Sequence, residues 1–270
     1  MTDKITGWEP DKRAHFDDIV LNYDNVRPEY PAQLFADIID FANPGKALEI
    51  GAGTGKATTP FLDAGYDVTA IEVGANMADF LRERFKEYNN FNVTVAAFED
   101  VLLDDESYDL IYVANAFHWV NAEIGCPKAF RLLRSGGVFA LFRYNGVQAI
   151  FEDFYKEIQT VYAKHYRSYY KTSGPPPIDV YGEPGQILRR FGFNDLKDYG
   201  FTDITMKLYD WTKTYTADEY LALLDTFSDH RHLPEENKTE LYAGIKNVIL
   251  RHGGFYKADF TFQLYMGRKR

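Results

Sequence analysis

Three glycines at alternate positions, Gly51, Gly53 and Gly55, follow a short apolar run in the stretch LEIGAGTGKAT. A turn without Cβ atoms between a strand and a helix lets backbone N–H groups close on a ligand, and the helix presents its positive end to it. Two carboxylates bracket this turn: Glu49 just before it, and Glu72 about 20 residues on, at the end of the next strand-like segment. A carboxylate at that place reaches ribose hydroxyls, so turn and acid together predict a nucleoside-bearing cofactor. The dinucleotide fingerprint needs glycine where Lys56 stands, and a phosphate loop needs Ser or Thr where Ala57 stands. A third candidate is His118 in NAFHW, beyond the fourth strand-like segment. An imidazole there either accepts a proton near neutrality or packs against Trp119.

These residues need a scaffold. Residues 47–51, 66–73, 91–98, 108–117 and 137–144 are short and rich in β-branched or aromatic side chains, which predicts buried strands. Between them, Met77, Phe80, Leu81 and Phe85 recur at helical spacing over 75–88, and a second helix over 123–134 stops at Gly136 and Gly137. Such alternation implies a parallel sheet covered on both faces. Residues 14–42 predict two helices, the second opened by Pro31. Residues 151–166 predict another, followed by a proline-rich loop or lid over 168–185. Alternation over 202–208 and 260–266 predicts an antiparallel edge. The Thr216 and Glu219 capping box starts a helix through Phe227, and Pro234 opens a last one closed by Gly253 and Gly254.

With 46% hydrophobic residues and 270 positions, the chain can bury a substantial core. A net charge of −10 without a basic block argues against nucleic acid as substrate. No apolar run approaches a membrane span and no secretory leader is visible, so a cytoplasmic protein is expected. The lone Cys126 can form no internal disulfide, and the histidines have no partners at metal-ligand spacing, so no metal is expected.

The ordered motifs resemble the class I S-adenosylmethionine-dependent methyltransferases. LEIGAGTGKAT is similar to their first motif and VTAIEVGANM to their second strand with its ribose-binding acid. AAFEDVLLDDESYDLIYVANAFHWV resembles the third and fourth motifs, and AFRLLRSGGVFAL the helix and strand beyond the active site. YDNVRPEYP and the segment 215–245 further resemble a methyltransferase type 11 subgroup that includes the trans-aconitate-type enzymes. The resemblance implies a Rossmann-like, doubly wound, mostly parallel α/β sheet of seven strands, with an antiparallel C-terminal edge hairpin, N-terminal helices and an inserted cap. It also implies S-adenosyl-L-methionine as cofactor and S-adenosyl-L-homocysteine as product.

By position, the resemblance puts Gly51, Ala52, Gly53 and Gly55 against the methionine part, with Glu49 holding the turn or the ammonium through water. Glu72 would take the ribose hydroxyls, Val73 would flank the adenine, and Phe98 and Glu99 would lie at its far edge. Asn115 and Ala116 would line the route to the acceptor. Tyr23, Arg27, His118, Trp119 and Arg143 would bind the substrate, His118 being the catalytic candidate. Arg27 pairs either with a ligand carboxylate or with a surface acid. Tyr162, Tyr166, Tyr169, Tyr170 and Tyr181 either line a pocket beneath the lid or belong to a dimer interface or core edge.

The expected organisation is a helical flap (1–46), a cofactor-binding core (47–146), a lid or cap insertion (147–194) and C-terminal edge strands with inserted helices (195–270), integrated in one domain. The function expected is methyl transfer to a small-molecule acceptor, a carboxylate among the candidates, by a monomer or homodimer that binds neither nucleic acid nor membrane. A non-catalytic cofactor-binding sensor is the alternative, and an NAD-type oxidoreductase ranks last because of Lys56.

Overall fold

The computed structural model describes residues 20–147, 153–174 and 196–270. The start of the first expected helix, the second half of the proline loop and Tyr181 lie outside them. Two helices, α1 (Val20–Val26) and α2 (Ala32–Phe41), precede β1 (Lys46–Ile50). Then α3 (Thr58–Asp63), β2 (Asp67–Glu72), α4 (Ala75–Arg84), β3 (Phe91–Val95), β4 (Tyr108–Ala114), α5 (Ala122–Leu132) and β5 (Leu133–Val147) follow. The cap contributes α6 (Asp153–Tyr162), which runs on into a π-helical turn, Ala163–Arg167. Last come β6 (Thr202–Thr216), α7 (Ala217–Leu224), α8 (Ser228–Arg231), α9 (Glu235–Arg251) and β7 (Phe255–Arg268).

The seven strands form one sheet in the order β3-β2-β1-β4-β5-β7-β6. The first five are parallel, while β7 pairs antiparallel with both β5 and β6. The fold is thus a Rossmann-like α/β sheet with an antiparallel edge. Strand order reverses between β1 and β4, and a crevice opens there at the carboxyl ends of the strands.

Alternate residues of each strand feed two cores. Ala47, Tyr112, Phe142 and Phe262 face α2 and α3, where Phe35 and Phe61 pack edge-on to their neighbours. Leu48, Ile111, Phe139 and Leu141 face α5 and Phe201. A third cluster under the cap joins Ile158 of α6 to Leu224 of α7 and to Leu241, Ile245 and Ile249 of α9. The expected helix over 75–88 ends at Arg84, because Phe85 turns into the core as its C-cap. The edge strands run much further than expected, since β6 stays paired with β7 from Thr202 to Thr216.

Candidate active site

The glycine turn leaves β1 with Gly51, Gly53 and Gly55 all at positive φ, a conformation that side chains with a Cβ seldom adopt. At Gly51 a Cβ would lie 2.6 Å from the Ala116 Cβ, so glycine there lets the first turn touch the turn after β4. At Gly53 a Cβ would meet nothing within 4 Å, which marks open space beside the backbone.

That space is the mouth of a pocket. Gly51, Gly53, Glu72, Val73, Phe98 and Glu99 line it, with Asn115, Ala116 and Trp119 on the β4 side. Ile71, Met77 and Val120 complete its apolar wall. Glu72 is 8% exposed; it accepts the Gly53 N–H at 2.8 Å through Oε2 and the Gly74 N–H at 3.0 Å through Oε1. Those two bonds fix the carboxylate's orientation and tie the glycine turn to the end of β2. Glu99 accepts the Asn121 N–H at 3.0 Å, which sets it at the start of α5. Asn115 itself takes a left-handed φ of 57°, and its Oδ1 accepts the Tyr144 N–H at 3.4 Å. A recess beside the glycine turn adds Ala52, Thr54 and Tyr30, and shares Tyr23, Gly51, Gly53 and Asn115 with the pocket.

Three of the expected site residues stand away from the pocket walls. Gly55 does not line these pockets: a Cβ there would run into Phe85 and Leu81 at 2.5 and 2.9 Å, so its glycine serves the packing of α4 under the turn. Glu49 lies beneath the turn, fully buried on the α2–α3 face. Its Oε2 accepts the Thr58 hydroxyl at 2.5 Å and the Tyr112 hydroxyl at 2.9 Å, while Oε1 has no partner. Burial pushes its carboxyl up to about 8 against the pull of those two hydroxyls. Arg143 does not line the described pockets either. The pleat of β5 sends it to the opposite face from Tyr144, where its Nε faces Gln263 Oε1 at 3.5 Å.

Beyond Asn115 a larger chamber of about 820 Å³ opens between sheet and cap. Tyr23, Arg27, His118, Trp119 and Tyr144 form its inner end. Arg27 lines both this chamber and the recess at the glycine turn. Its guanidinium donates to Tyr144 Oη at 2.8 Å and to the Thr226 carbonyl at 2.6 Å, and it lies over the rings of Tyr23 and Phe227. Its Nε is buried without a partner, and among the described residues no carboxylate lies within ion-pair distance. His118 is exposed to the chamber, with protein atoms crowded around its ring. Burial, then the charges of Arg143 and Arg27, push its imidazole down to about 4. At neutral pH the ring is uncharged, a hydrogen-bonding group and a weak base.

The flap is held over this site by charge. Asp24 pairs with Arg84 at 2.9 Å, and Lys56 reaches both Glu29 and Asp24. The residue that breaks the dinucleotide fingerprint therefore anchors the segment that carries Arg27. Sequence reasoning missed the chamber's outer walls: Tyr155 and Ile158 from α6, Tyr220 from α7, the segment from Phe227 to His230, and Tyr256. The aromatic content of Tyr155, Tyr220, Phe227 and Tyr256 is the signal that the sequence offers. Of the expected tyrosine cluster, Tyr162 and Tyr166 line the chamber, Tyr170 bonds the Asp229 carbonyl from outside it, and Tyr169 is exposed. Among the described residues no group of His, Cys, Asp or Glu is placed to hold a metal, and no helix is long and apolar enough to cross a membrane.

A switch-point crevice with a glycine cradle, a strand-end carboxylate and a large adjoining chamber defines an α/β enzyme built around a nucleoside cofactor. Residues 48–141 match the family described as a methyltransferase domain, Methyltransf_11. The "probable S-adenosylmethionine-dependent methyltransferase CRG1" of Saccharomyces cerevisiae is 30% identical over 242 residues, 81% of this chain and 82% of its own. The uncharacterized methyltransferase C25B8.09 of Schizosaccharomyces pombe is 25% identical over 237 residues, 85% of each chain. Among solved structures, a protein of Anaeromyxobacter dehalogenans assigned as a type II methyltransferase shares the fold. Its TM-score is 0.59 at 23% identity, covering 90% of this chain and 97% of that one. The chain belongs to the class I S-adenosylmethionine-dependent methyltransferases.

Proposed function

We propose that the enzyme methylates a carboxylate-bearing small molecule on its carboxylate. The observation that carries this reading is Arg27, a permanently charged guanidinium with a buried, unpartnered Nε and, among the described residues, no carboxylate beside it, placed where the cofactor recess meets the chamber. An anionic acceptor supplies the missing counter-charge at the place where it is needed. His118 supports the same choice. A base held down to about 4 takes a proton poorly from an alcohol or an ammonium group, whereas a carboxylate arrives already deprotonated. The resemblance to trans-aconitate-type enzymes points the same way.

The open space at Gly53, the positive-φ glycines and the apolar wall of Ile71, Met77 and Phe98 fit an adenosyl ligand with a methionine arm. When bound, S-adenosylmethionine supplies a methyl group activated on a sulfonium. In this reading Gly51, Ala52 and Gly53 hold its amino-acid end, Glu72 and Val73 its ribose and adenine, with Phe98 and Glu99 beyond. Glu49 braces the turn from beneath through Thr58 and Tyr112. Asn115, Ala116 and Trp119 form the passage in which the acceptor carboxylate is aligned, and Arg27, Tyr23 and His118 orient that carboxylate and exclude water.

The test is a panel of small carboxylic acids and their amides assayed with methyl-labelled cofactor, each product then treated with alkali. Label transferred to the acids but not the amides, and released as methanol, is expected. Transfer to the amides or to amines, or label stable to alkali, would overturn the carboxylate assignment.

A further inference from the structure

Asp229, His230 and Tyr162 line the chamber but not the cofactor pocket, and the proposed methyl transfer uses none of them. They form a chain of hydrogen bonds. His230 Nδ1 lies 2.9 Å from Asp229 Oδ1, and His230 Nε2 lies 2.9 Å from Tyr162 Oη. Asp229 also accepts the His230 backbone N–H at 2.9 Å and the Tyr166 hydroxyl at 2.6 Å. Burial alone would raise this carboxyl, but the bonds from His230 and Tyr166 hold it down to about 2. An ionised Asp229 offers only lone pairs, so in the neutral imidazole the Nδ1–H turns toward it and Nε2 is left to accept the Tyr162 hydroxyl proton. Three rings fix the imidazole: Tyr166 at 5.1 Å, Tyr162 at 5.7 Å and Phe227 at 5.8 Å between centroids.

The consequence is a phenol with its proton committed to histidine and its oxygen left to accept. Such polarised chains accept hydrogen bonds better than an isolated phenol does. We infer that Tyr162 Oη is the second recognition point of the acceptor and takes a hydrogen bond from a hydroxyl at the end opposite the carboxylate. Asp229 and His230 are positioning residues that act through Tyr162. The charge of Asp229 is already met by three donors, so the fit is to a neutral hydroxyl rather than to an ammonium.

The wall between the two recognition points sets the body of the ligand. Arg27 Cζ lies 4.6 Å from the centroid of the Phe227 ring, whose other neighbour is His230. Phe227 stands between the two recognition points, and Tyr155, Tyr220 and Tyr256 give the chamber further aromatic faces, which suit a flat body. The acceptor class is therefore a hydroxylated aromatic or similarly flat carboxylic acid. This inference rests on the carboxylate reading only for which end of the acceptor meets Arg27.

The experiment is calorimetric titration of the full chain, saturated with S-adenosylhomocysteine, with matched pairs: 4-hydroxycinnamate and cinnamate, 4-hydroxybenzoate and benzoate, and the amide of each. The hydroxyl is expected to tighten binding roughly tenfold in the wild type. Tyr162→Phe should abolish that advantage and His230→Gln should reduce it, with the affinities for cinnamate and for S-adenosylhomocysteine left as in the wild type. A merely structural role for His230 would move all three affinities together. An advantage that persists in Tyr162→Phe, the absence of any advantage, a preference for 4-aminomethyl analogues, or no hydroxylated ligand bound at millimolar concentration would overturn the inference. Hydroxylated amides that bind as tightly as the acids, with the Tyr162-dependent advantage intact, would sink the carboxylate reading and leave the relay standing.

Discussion

Replacing Glu72 with glutamine tests the cofactor site at its most constrained group. Both oxygens of the carboxylate are engaged by backbone, Oε2 by the Gly53 N–H at 2.8 Å and Oε1 by the Gly74 N–H at 3.0 Å. Glutamine keeps one acceptor but turns an NH2 toward the other N–H, so one buried donor loses its partner. A hydrogen bond to a charged group contributes about 1.5–3 kcal/mol, so loss of the ionised acceptor should raise the Kd for S-adenosylhomocysteine roughly 10- to 150-fold. The orphaned N–H should separately lower the stability of the ligand-free protein by about 1–3 kcal/mol. Calorimetry with S-adenosylhomocysteine and its 2′,3′-dideoxyribose analogue separates the two effects. The wild type should lose affinity for the analogue by a similar factor, and the variant should no longer discriminate. An unchanged Kd in the variant, or undiminished preference for the hydroxylated ligand, would refute the assignment and reduce Glu72 to a brace for the turn.

His118→Ala should lower turnover while leaving cofactor affinity near that of the wild type, and single-turnover assays beside calorimetry would show the difference. Since the imidazole is pushed down to about 4, the wild-type kcat profile should show no limb near the ordinary value of 6.5; a limb there would mean that His118 titrates as an exposed histidine. Glu49, raised from 4.5 to about 8, binds its proton more tightly in the folded than in the unfolded chain, so stability should fall as pH rises from about 4.5 to about 8. Glu49→Gln should flatten that slope in chemical denaturation of the ligand-free protein, and an equal slope in both proteins would contradict the assignment.

The cofactor half of the site was legible because its chemistry follows strand ends. Gly51 and Glu72 sit at the carboxyl ends of adjacent parallel strands, and the alternation of short apolar segments reveals both. Gly55 is ambiguous in the sequence because a positive φ and a packed neighbour select glycine as strongly as a ligand does. Arg143 shows a simpler limit: the ends of a strand are easy to place, but the face depends on a register of a single residue. The acceptor half was largely illegible. Phe227 to His230 looked like the end of a helix, yet the docking of α9 and α6 under Leu241 and Ile158 swings it against Arg27. The length of β6 was hidden too, because an edge strand's extent follows its partner, and Thr216 pairs with Phe255.

The order in which contacts become possible follows from the way α1 is held. Asn22 donates to the Ala222 carbonyl, Arg27 to that of Thr226, and the Tyr215 hydroxyl to that of Val26. Sequence separations of 189 to 200 residues put these among the costliest loops to close. During synthesis the parallel strands and their glycine cradle emerge and pair first, while the helix that roofs them waits for the last quarter of the chain. Ligand-binding competence is therefore a late event in maturation, reached only when β6 and α7 have docked. A chain arrested before that point carries an open nucleoside crevice with neither roof nor acceptor wall.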